Sequence, residues 1–185
     1  MRLFALLSFL LLVPFSAHAG SGSFTPVSKE TANVYYQNCV SQQSAQSFSQ
    51  QAQGMMCACT AARLTQFFTM EDMATMTNNQ SPPQAQRAAF NKMLINIYAP
   101  CMEEPTREYH YNACISNPQT AQYGDPQTIC RCMADQVATH MQVYGPRVFQ
   151  DLVARNPNIT DPMAELTNDP SFQTFAKSKL LACLR

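Results

Sequence analysis

Cys39, Cys57, Cys59 and Cys101 are followed by Cys114, Cys130, Cys132 and Cys183, so the pattern C…CxC…C occurs twice and accounts for every cysteine in the chain. Sulfur at this spacing can crosslink, shuttle electrons or bind a soft metal. Thiol–disulfide catalysis uses an exposed, low-pKa cysteine at a helix start with a close partner, commonly as C-x-x-C. The chain has no C-x-x-C; its CxC pairs sit inside expected helices, and an outside partner is on hand for every sulfur. Met70, Met73 and Met76, spaced by three, are the candidate metal set, since thioethers and thiolates favour Cu(I). The second copy offers Val148, Phe149, Leu152 and Val153 in the corresponding stretch. Apolar filling by flexible methionines therefore explains the series more simply than a metal does. The alternative function kept in view is a periplasmic copper-binding or thiol-redox protein using the CxC pairs and this methionine series.

Other chemistries have less to stand on. Zinc would draw on His110 and His140, which align with Tyr35 and Phe67 of the first copy and so fall outside the repeated frame. A hydrolase needs a nucleophile beside an oriented base, and no such arrangement is visible. The carboxylate pairs Glu71-Asp72 and Glu103-Glu104 lie at helix starts and ends, where capping or solvation accounts for them. The chain reads as a non-enzyme, with no catalytic residue and no cofactor.

The compartment follows from the first 19 residues. Arg2, the apolar run Leu3–Phe15 and Ala17-His18-Ala19 form the charged, apolar and small-residue regions of a cleavable signal peptide, placing the mature protein in the periplasm or outside the cell. There disulfides persist, and an even cysteine count leaves none over. Removing residues 1–19 leaves 11 Lys+Arg, 12 less Arg2, against 12 Asp+Glu. This near-neutral balance, without a basic cluster, argues against nucleic acid as a partner. No later stretch is apolar enough for an integral membrane segment.

The two copies align beyond their cysteines. Tyr36 and Tyr111 stand three residues before Cys39 and Cys114, and Phe90 and Phe172 stand 11 before Cys101 and Cys183. The expected organisation is signal peptide 1–19, first module 20–102 and second module 103–185. The fold class is all-α: two tandem disulfide-stapled modules of about four helices each. The expected helices span 28–42, 50–68, 70–78 and 83–101, then 105–117, 126–143, 146–155 and 170–184. Gly145-Pro146 is read as a break between the second and third helices of the second copy. Caps are expected at Thr69 and at Asp125 before Pro126.

Residues two apart on a helix differ by about 200° in direction, so the members of a CxC pair should not bond each other. Identical pairing within each copy then leaves two frames: 39–57 with 59–101, or 39–59 with 57–101, and the same choice in the second copy. The second frame is slightly preferred. Each bond is worth roughly 3–4 kcal/mol in the chain-entropy model. A rigid helical body of this kind suits an interaction role with another protein, as a cell-envelope assembly component or a chaperone-like or inhibitory binder. Tyr35, Tyr36, Tyr109 and Tyr111 are the candidate anchors. One tyrosine of each pair is expected to pack on its own fourth helix, and the Ser/Gln-rich stretch 41–53 is expected to be a contact loop.

Overall fold

The computed structural model describes residues 24–41 and 48–184; the expected signal peptide lies outside the described residues. Among the described residues eight α-helices follow in order: α1 Lys29–Ser41, α2 Gln50–Phe67, α3 Met70–Thr77, α4 Pro83–Met93, α5 Glu103–Ile115, α6 Pro126–Arg155, α7 Pro162–Asn168 and α8 Pro170–Cys183. Among the described residues there is no strand, only an isolated bridge between Pro26 and Thr69.

Local chemistry sets the helix starts. Ser49 accepts the Ala52 amide at 3.2 Å, and Asp125 accepts that of Thr128 at 3.0 Å. Thr69 and Asp72 form a reciprocal capping box that opens α3. Asp161 and Asp169 cap α7 and α8, each followed by proline, whose missing amide proton costs nothing at a first helical position. The Asp161-Pro162 pair carries the same signal as Asp125-Pro126, yet α7 was absent from the sequence expectation. Of the stretch expected to be a loop at 41–53, Ser41 ends α1 and residues 50–53 belong to α2, whereas 48 and 49 are not helical and 42–47 lie outside the described residues.

Two expectations fail at prolines, for opposite reasons. The helix foreseen over 83–101 loses its regular pitch at Met93, continuing as a π-helical turn, Leu94–Tyr98, and a 3₁₀ turn, Ala99–Cys101. Pro100 has no amide proton to give the Asn96 carbonyl four residues earlier. Arg63 of α2 fills that vacancy, its Nε donating to the Asn96 oxygen at 2.8 Å. Gly145-Pro146, by contrast, breaks nothing: α6 runs through both for 30 residues. Val137, Met141, Phe149 and Leu152 lie on its core face, each at most 2 % exposed. Burying that set outweighs the cost of an internal proline, about 3 kcal/mol. Gly145 faces the 3₁₀ turn so closely that a Cβ there would lie 2.5 Å from the Ala99 carbonyl oxygen.

The larger apolar core surrounds α6 and draws Leu94, Ala99 and Met102 against Phe149, Leu166 and Phe172. A smaller core gathers Val27, Leu64, Phe68, Met93 and Ile97. Val27 and Met102 each stand 12 residues before the first cysteine of their copy, and both are buried, at 3 % and 2 % exposure. Glu108 of α5 reaches back across the chain and accepts the Ser49 amide at 2.6 Å and its hydroxyl at 2.7 Å, fixing the start of α2.

Candidate functional site

All eight sulfurs are bonded: Cys39–Cys57, Cys59–Cys101, Cys114–Cys130 and Cys132–Cys183. The frame is the same in both copies, and no CxC pair bonds to itself. It is the other of the two frames that spacing allowed, so the preferred 39–59 with 57–101 pairing is corrected. The first cysteine of each CxC turns into the buried seam with the first helix of its copy, Cys57 and Cys130 both being wholly buried. The second turns toward the last helical segment of the copy. Helix periodicity puts the two sulfurs on opposite sides but leaves open which neighbour occupies which side; the packing of the helices around α2 and α6 decides it.

The candidate methionines do not converge. Met73 and Met76 pack against the smaller core, while Met70 is 38 % exposed. The four tyrosines divide as well. The Tyr35 hydroxyl donates to that of Tyr98 at 3.2 Å; burial, and next Tyr35 itself, push the Tyr98 phenol above its ordinary range. Tyr111 packs on the larger core. Tyr36 lines a shallow depression between α1 and α2, and Tyr109 is exposed on α5 with its ring edge-on to His110. The tyrosines near the surface thus stand on helices of different halves.

A more developed surface lies between α6 and α8. A groove of about 460 Å3 is walled by His140, Val148, Asp151, Arg155, Phe172 and Phe175, and it continues past Tyr144 and Arg147. The His140 ring sits 4.1 Å from Phe175 and 5.0 Å from Tyr144, centroid to centroid. Partial burial, and then the Lys179 charge, lower the His140 pKa, so the imidazole is neutral at pH 7. Lys179 Nζ lies 5.1 Å over the Phe175 ring. At the far end Arg155 pairs with Asp169 at 2.8 Å, and the same carboxylate caps α8. Tyr144 projects from the rim, 53 % exposed.

Sequence reasoning missed this groove because of the break it placed at Gly145-Pro146. On one continuous helix, His140, Tyr144, Val148, Asp151 and Arg155 recur at steps of four, four, three and four and so share a face. Cut at residue 145, the stripe disappears. The groove offers aromatic faces, a neutral imidazole, two guanidinium groups and two carboxylates, Asp151 and Asp169, which together suit recognition by stacking and ion pairing. Among the described residues no group of three or more His, Cys, Asp or Glu side chains is placed to hold a metal ion. No helix among them is long and apolar enough to cross a membrane.

Comparison with protein-family models, with curated proteins and with solved structures finds no match for this chain.

Proposed function

We propose that the chain is an exported, non-enzymatic binding protein of the cell envelope. It acts as an assembly component or as a chaperone-like or inhibitory binder, built from two tandem disulfide-pinned modules. The observation that carries this reading is the groove between α6 and α8. It combines aromatic and charged side chains on helices that a disulfide holds together, and half-exposed aromatics on a rigid frame are the residues on which interface energy concentrates. Rigidity also lowers the ordering cost of association. The partner is another protein, whose contact segment would present an apolar or aromatic anchor with an acidic flank for Arg147.

The test is site-specific crosslinking in the source cell's exported fraction. A photoreactive residue at position 144 should give one discrete adduct, and the same group at position 34 on exposed α1 should not. Tyr144→Ala with Arg147→Glu, both at exposed positions, should abolish co-purification of the crosslinked species. Retention of that species by the double variant refutes the groove as the contact surface.

A further inference from the structure

We infer that Cys132–Cys183 is a thiol–disulfide exchange site, the one bond of the four arranged to open and reclose while the fold persists. The bond joins α6 to α8, the two walls of the groove, so its opening would loosen that frame; the observations behind it are separate from those that define the groove. Each of the other bonds has at least one sulfur-bearing residue sealed in the interior: Cys57 and Cys130 at 0 %, Cys101 at 5 % and Cys114 at 6 % exposure. Cys132 and Cys183 are both half-buried, making this the one bond of the four with neither residue sealed in the interior. A second feature distinguishes it. Gln136 directs its side-chain amide at both sulfurs, Nε2 lying 3.3 Å from Cys132 Sγ and 3.1 Å from Cys183 Sγ. The amide stabilises a sulfur that has taken on negative charge, and exchange is faster when the leaving thiol is the more acidic.

The first copy provides an internal control. Arg63 stands four residues after Cys59, as Gln136 stands four after Cys132. Its Nε is engaged by the Asn96 carbonyl and its guanidinium lies 4.5 Å over the Phe67 ring. The repeated frame therefore carries a sulfur-directed amide at one of its two equivalent bonds.

The direction of exchange follows from helix geometry. The Gln136 amide is marginally nearer Cys183 and does not set the direction; Cys183 closes the carboxyl end of α8, where the helix dipole disfavours an anion, whereas Cys132 lies inside α6. A thiolate of an external thiol attacks Cys183 Sγ, forming a mixed disulfide. The Cys132–Cys183 bond breaks, and its electron pair leaves on Cys132 Sγ, which the Gln136 amide holds as thiolate. With a dithiol, the second thiol, as thiolate, attacks the mixed disulfide and releases Cys183 as thiolate. The dithiol is oxidised to its disulfide and the protein gains two electrons. The other three bonds keep the helices joined while the carboxyl end of α8 is released from α6.

The experiment uses the full folded chain without denaturant. Limiting dithiothreitol is added, the reaction is quenched in acid at intervals, and alkylated cysteines are mapped by mass spectrometry. Cys132 and Cys183 should label first, about tenfold or more ahead of the other six. Glutathione alone should give an adduct on Cys183. Gln136→Met, which keeps side-chain length but removes the donor, should slow this opening roughly threefold to tenfold, the worth of one hydrogen bond, and leave the other three rates unchanged. The wild-type order of opening decides the matter even if the variant folds poorly. Equal or faster opening of Cys59–Cys101, an adduct on Cys132, or an unchanged rate in folded Gln136→Met would each overturn the inference.

Discussion

His110 should make the protein acid-sensitive, and the size of the effect can be worked from its surroundings. The side chain is 9 % exposed on α5, its ring 5.7 Å from that of Phe172, and its Nε2 is buried without a hydrogen-bond partner. Burial lowers its pKa from 6.5 to about 4. The folded state therefore resists a proton that the unfolded chain accepts. As pH falls through 6.5 the unfolded state binds that proton first, so stability declines, and the decline levels off below pH 4, where the folded state binds it too. Linkage puts the loss from this one group at about 2 kcal/mol at pH 5 and about 3 kcal/mol at pH 4. At Asp72 burial works against ionisation, but hydrogen bonds from Lys92 and Thr69 and the Lys92 charge prevail and lower its pKa; that stabilisation is lost as pH falls from 3.8 through the lowered value, all of it below pH 4. Comparing wild type with His110→Phe isolates the histidine. Guanidinium unfolding with disulfides intact, repeated from pH 7 to pH 4, should show the variant gaining on wild type by those amounts. A wild-type-minus-variant difference that stays flat across this range would refute the argument that the imidazole is buried in neutral form.

Three further outcomes are expected. Gly145→Ala should destabilise by about 2 kcal/mol or more, because the added methyl meets the Ala99 backbone carbonyl, which cannot swing aside; thermal unfolding by circular dichroism measures it. Glu108→Ala should cost about 1–2 kcal/mol by freeing the Ser49 amide and hydroxyl, with amide exchange rising at the first turn of α2. Trypsin under non-reducing conditions should cut after Arg131, between the two cysteines of the second CxC. Peptide 108–131 should then carry an internal bond and 132–147 should be joined to 180–185, whereas the alternative frame would tie all three together.

The sequence by itself determined the helical class, the doubled cysteine frame and the exclusion of bonds within a CxC pair. These follow from local rules: scarce glycine, proline and aspartate at helix starts, an apolar stripe along 90–101, and the 100° step between helical neighbours. Helix starts at Met70, Pro126 and Pro170 were legible because a cap is written in adjacent residues, and the start at Pro83 because proline suits a first helical position. Only tertiary structure decided the rest. Which sulfur of Cys57 and Cys59 meets Cys39 depends on the side of α2 on which α1 lies, and no periodicity within α2 encodes that. Pro100 ended a regular helix because Arg63, 37 residues earlier in sequence, was placed to take the freed carbonyl. Pro146 ended nothing because burial on the core face of α6 exceeded its local cost. The groove shares that dependence: its residues form a stripe only on an unbroken α6 and gain walls only when α8 packs alongside. Local preference proposes a helix boundary, but the apolar area buried by distant neighbours is large enough to overrule it.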